Sequence, residues 1–100
     1  MLDKLTLESF RPHTGSKFAL QLADGESLEL ELVEVSPMGA EPKDQRQAFS
    51  CVFWGPENGS LPQQIYPLRH DKLGELQLFL VPLGPAGQDK LGFLYEAVFT

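Results

Sequence analysis

Residues 17–35 read KFALQLADGESLELELVEV, and the spacing of their apolar side chains decides the fold. Phe18, Leu20 and Leu22 alternate with Lys17, Ala19 and Gln21, and Leu28, Leu30 and Leu32 alternate with Glu29 and Glu31. A period of two places one apolar row on one face of an extended strand, so two half-buried strands are predicted. Between them, Asp24-Gly25 supplies the positive φ angles of a tight hairpin, which pairs the strands antiparallel. The alternation slips at Leu32-Val33, after which Val33 and Val35 carry the apolar positions. A bulge or bend there changes which face the apolar set occupies.

Outward from this hairpin the same signals recur. AFSCVFWG (residues 48–55) is apolar on both faces and reads as a central strand. QIYPLRH (64–70), ELQLFLVPL (75–83) and LGFLYEAVF (91–99) complete about six strands, the pattern of a small sandwich or barrel. Pro67 has no amide hydrogen to give a ladder, which makes the QIYPLRH strand an edge or an irregular one. SPMGAEPKDQRQ (36–47) is the longest loop, and PENGSLP (56–62) is a second break. The tetrapeptide DKLG occurs twice, at Asp71–Gly74 and Asp89–Gly92. Each reads as a turn whose glycine leads into a strand; single glycines with no helix after them do not form a phosphate loop.

The inward positions of these strands are Phe18, Leu20, Leu22, Leu28, Leu30, Leu32, Phe49, Cys51, Phe53, Leu76, Leu78, Leu80, Phe93, Tyr95, Ala97 and Phe99. Each large apolar side chain buried contributes roughly 1.5–3 kcal/mol, so this set supports a core without metal or disulfide. Regular strands place Val33, Val35, Val52, Trp54, Phe79, Val81, Leu94 and Val98 on the opposite face. Leu2, Leu5, Leu7 and Phe10 have the spacing of a short helix ending before Pro12, suited to a lid over one barrel end. Any apolar surface the lid leaves open is a partner surface.

A chain of 100 residues forms one domain, and residues 1–100 are read as a single β-barrel-like unit. A net charge of −6 with eight dispersed basic residues argues against nucleic acid and against anionic membranes. No apolar run reaches the ~18 residues of a spanning helix, and MLDKLTLESF lacks a secretory pattern, so the expected location is cytoplasmic. The lone Cys51 forms no internal disulfide.

Catalytic chemistry is sparse. Two histidines and one cysteine give no zinc spacing, and the carboxylates Asp24, Glu26, Glu29, Glu31 and Glu34 read as a solvated face rather than a calcium loop. His13 reads as a solvent-facing turn residue. Cys51, set in FSCVFW, reads as a small core residue without an activating base. His70 and Asp71 point to opposite faces of an extended chain, so adjacency alone makes no dyad. No catalytic, metal or cofactor-binding residue is therefore expected. The candidates for a protein contact are Trp54, Tyr66, Arg69 and His70, since aromatics with a polar tip and arginine carry much of the energy at interfaces.

Phe10, Pro12, Gly15 and Phe18 near the start, then Gln64, Tyr66, Leu68, His70, Leu73-Gly74, LFLVPLGP and Tyr95-Glu96-Ala97, resemble the pattern of a bacterial family of all-β domains of unknown function, each of roughly 100 residues. The resemblance implies companions of phage-tail-type proteins carrying a collar domain, and hence a small accessory piece, with no catalytic residues to transfer. The expected fold is mainly β, an antiparallel meander of about six strands curled into a small barrel, with a short N-terminal helix or turn. The expected function is a non-enzymatic structural or interaction module of a tail-like assembly, whose partner is a protein or a second copy of the chain. Two alternatives stand beside it: a small-ligand-binding barrel, and a hydrolase joining His70 to an acid and to Ser50 or Ser60.

Overall fold

The structure, a computed structural model, describes residues 6–22, 25, 27–38, 48–55, 61–87 and 90–99. Expectations for Leu2, Leu5, Asp24, Ser60, Asp89 and the centre of the loop after Pro37 lie outside these residues. Among the described residues there are six strands: β1 (Lys17–Gln21), β2 (Ser27–Pro37), β3 (Phe49–Gly55), β4 (Gln64–His70), β5 (Gly74–Gly87) and β6 (Lys90–Phe99). A short helix α1 (Leu7–Phe10) and a 3-10 turn (Arg11–His13) precede them.

Every strand pair is antiparallel, and the single sheet closes in a ring in the order β1-β2-β3-β6-β5-β4. Two three-stranded meanders, β1-β2-β3 and β4-β5-β6, thus join edge to edge. β3 and β4 stand on opposite sides of the ring. The hairpin read from residues 17–35 forms as expected, with Phe18 opposite Leu30 and Leu20 opposite Leu28.

The bulge also falls where the alternation slips, between Leu32 and Glu34. Its effect corrects one assignment. Because the bulge takes up one residue, Val35 pairs with buried Cys51 and packs on the core instead of the outer face. The rest of the inward set is buried, with Leu22, Leu28 and Phe93 partly so. β4 adds Tyr66 and Leu68 to the core.

Pro67 marks where the ring is weakest. β1 and β4 share two paired positions, Ala19 with Arg69 and Leu20 with Leu68. The next step of that register sets Gln21 against Pro67, which has no amide to donate, and the ladder stops.

Each end of the ring is closed differently. At the end where β1 and β3 begin, α1 inserts Leu7 and Phe10, and the Phe10 ring sits 5.1 Å from Phe99, 5.8 Å from Phe49 and 6.4 Å from Phe18. The N-terminal segment is the predicted lid over one end of the ring, and it leaves the outer face of the sheet uncovered. Thr6 starts the helix by donating its amide to Ser9 Oγ at 3.0 Å. At the other end Tyr95 Oη accepts the Leu61 amide at 3.0 Å, and Tyr66 Oη donates to the Pro62 carbonyl at 2.6 Å. Two buried phenols thereby hold Leu61 and Pro62 at this end of the core, on which Leu61 packs.

The two DKLG copies are not one turn used twice. Asp71–Leu73 is the β4–β5 hairpin turn, closed by the His70–Gly74 pair. In the second copy Lys90–Gly92 already belongs to β6. Both glycines have positive φ, +79° at Gly74 and +100° at Gly92. A side chain at Gly74 would enter open space, whereas one at Gly92 would strike the Gly55 carbonyl and the Trp54 ring.

Candidate functional site

The four candidate contact residues take four different roles. Arg69 is exposed and pairs with exposed Glu75 at 2.8 Å, an ion pair of little energetic weight. Trp54 is half-buried, donating its indole N–H to the Leu91 carbonyl at 2.8 Å while its ring covers Gly92. It fastens the start of β6 to the end of β3. Tyr66 points into the ring. Burial, with a smaller contribution from Tyr95, pushes its phenol above the ordinary value, so it remains a donor. His70 is also buried, 5% exposed, and is the centre of a cluster.

That cluster joins three segments. The His70 ring lies 4.4 Å from Phe18 and meets His13 edge-on at 4.6 Å. Its Nδ1 accepts two backbone amides of the hairpin turn, Lys72 at 3.0 Å and Leu73 at 3.2 Å. A nitrogen that accepts carries no proton, so in the neutral ring the proton is on Nε2. Nε2 therefore donates to Ser16 Oγ at 3.0 Å, and Ser16 passes its own hydroxyl hydrogen to the His13 carbonyl. Burial, then His13 and Lys72, lower the His70 pKa, while Asp71 acts in the opposite direction.

A serine nucleophile needs the reverse polarity, with Nε2 free to accept and Nδ1–H held by an acid. Ser16–His70 is consequently a structural contact. The hydroxyl that His70 meets is Ser16, not Ser50, which is buried on β3 opposite Val98. Burial pushes the Cys51 thiol up to about 12, far from a reactive thiolate. Among the described residues no three His, Cys, Asp or Glu side chains gather as a metal site. Glu31 pairs with Lys17 at 3.6 Å, and Glu34 accepts from Ser36 at 2.7 Å.

The outside of the ring is two-sided. β1 and β2 present Lys17, Gln21, Glu29, Glu31 and Glu34. Around the other side, Ile65 on β4 is 60% exposed, its direct neighbour Phe79 on β5 is 49% exposed, and Val98 on β6 is 47% exposed. Leu83 continues the apolar side along β5. Beside Ile65 the loose β1–β4 seam opens into two surface grooves. One, of about 380 Å³, is lined by Leu22, Leu61, Ile65 and Pro67 among others, and the second, of about 500 Å³, by Gln21, Pro67, Arg69, Glu75 and Gln77 with Leu68 and Leu76.

Sequence reasoning placed Phe79 and Val98 outside but missed Ile65. The phase of QIYPLRH held that signal, since Tyr66, Leu68 and His70 alternate with Ile65, Pro67 and Arg69. Nothing local marked Ser16, which meets His70 across 54 positions of chain.

A protein-family model matches residues 5–99, and the family is described as a domain of unknown function (DUF6916). The chain matches no curated protein and no solved structure.

Proposed function

We propose that this chain, which belongs to the DUF6916 family of domains of unknown function, works as a non-enzymatic interaction module that docks a protein partner on the outer face of β4, β5 and β6. The observation that carries this reading is the Ile65–Phe79–Val98 row. Three large apolar side chains stand about half exposed on three adjacent strands, where water contact is unfavourable and a partner would remove it. The acidic β1–β2 side stays solvated and sets the orientation of docking. A structural piece of a bacterial tail-like assembly working in the cytoplasm fits this design, and the sequence resemblance supports it. Favouring a docking module over a ligand-holding barrel, the interior is occupied by its own rings, with Phe18 5.2 Å from Phe53 and Phe49 stacked 4.5 Å from Phe99.

Photo-crosslinking tests the reading. A benzophenone side chain at position 79 should give discrete adducts in the native cell, and one at position 29 should not. Equal labelling from both positions would overturn the assignment of this face. Light scattering of the purified chain identifies the case in which the partner is a second copy.

A further inference from the structure

We propose that His70 is a pH-operated latch: its neutral ring ties the β4–β5 turn to the N-terminal plug, and taking up a proton releases both. Three segments far apart in sequence converge on this one imidazole. The hairpin turn supplies the Lys72 and Leu73 amides to Nδ1, the N-terminal segment supplies Ser16 Oγ to Nε2 and the His13 ring to one side, and β1 supplies Phe18.

Both ring nitrogens are already committed. A second proton has to enter at Nδ1, whose lone pair is shared by two N–H donors. Once protonated, Nδ1 becomes a donor facing two donors, and the two amides lose their acceptor. The new charge is buried against the Phe18 ring and beside His13. The charged or titratable groups around the ring are His13 from the 3-10 turn and Asp71 and Lys72 from the hairpin turn. Of these, Asp71 alone favours the cation, and it is exposed. β1 offers an aromatic ring, and β5 offers Gly74 opposite His70, with no charge. Relief comes only if the ring swings towards water.

The movement has built-in limits. Gly15 donates to the Leu32 carbonyl at 2.6 Å and Leu32 donates to the Ser16 carbonyl at 3.1 Å, so the exit of the plug stays stitched to β2 without help from His70. What opens is the turn at 71–73 and the segment ahead of Gly15. Trp54 and the two tyrosine bonds lie at the far end of the ring, so in the wild type the emission of the single tryptophan is insensitive to opening of the latch and responds to global unfolding.

Hydrogen exchange on the intact chain at pH 7.5 and 5.5, corrected for intrinsic rates, tests the latch. The Lys72 and Leu73 amides and the segment Leu7–Thr14 should lose at least tenfold in protection at pH 5.5, with strand amides losing less than these and Trp54 emission unchanged. His70→Gln, whose amide can accept from the turn and donate to Ser16 at every pH, should abolish the pH dependence. Unaltered protection in the wild type, an equal loss in the Gln variant, or a simultaneous shift of Trp54 emission would each overturn the proposal. If the variant does not fold, NMR titration of the wild type decides: turn amides that follow the His70 ring support the latch, and turn amides that follow His13 or neither ring refute it.

Discussion

Gly92 shows how one residue's role depends on what surrounds it. Its φ of +100° disfavours any side chain, and the Gly55 carbonyl and Trp54 ring fill the space where a Cβ would go. Gly92→Ala should destabilise the fold by roughly 3 kcal/mol or more, combining backbone strain with overpacking, and should shift Trp54 emission. Gly74→Ala meets open space and should cost only about 1 kcal/mol. Comparison of urea midpoints checks both values. The sequence presented these glycines as twins because DKLG is identical in the two copies. What separates them is the Trp54–Leu91 contact, which links positions 37 apart and leaves no trace in the repeat. His70 has the same history: its neighbours in sequence suggest a surface residue, and its neighbours in space bury it.

At the scale of elements, the two end closures should fail differently. Phe10 fills the mouth of the ring among three phenylalanine rings, so Phe10→Ala leaves a cavity and should remove about 3–5 kcal/mol of stability. Tyr66→Phe keeps the packing and removes one hydrogen bond to Pro62, for a loss of about 0.5–1.5 kcal/mol. Thermal denaturation gives the totals. Hydrogen exchange at the Leu61 amide tells the two apart, because only the tyrosine change loosens Leu61 and Pro62 directly. Strand identity, the hairpin at residues 17–35 and the β2 bulge were legible from local signals, chiefly side-chain alternation and the Asp24-Gly25 dipeptide, since these survive without tertiary information. The order of strands in the ring was not: no local pattern specifies that β3 pairs with β6 and β1 with β4. Pro67 gave one partial clue, marking beforehand the strand whose second ladder stops short.

For the whole molecule, the His70 cluster makes stability depend on pH. The unfolded chain titrates this imidazole near its ordinary 6.5, and burial holds the folded value lower. Between those two values the unfolded state binds more protons, so stability falls as pH drops below about 6.5 and levels off once the folded ring also protonates. Urea midpoints at pH 7.5 and 5.5 should therefore separate in the wild type by more than in His70→Gln. By contrast, Ile65→Ser with Phe79→Ser should leave the unfolding free energy within about 1 kcal/mol of the parent, because both side chains lie outside the core. The sequence by itself determined the strands, their buried rows, the acidic side and the lid, because each follows from side-chain spacing along a local stretch. Only the tertiary structure decided the order of strands in the ring, the burial of Tyr66 and His70, and the gathering of Ile65, Phe79 and Val98 on one face. Those depend on which distant strands become neighbours, and that choice is made by packing over the entire core.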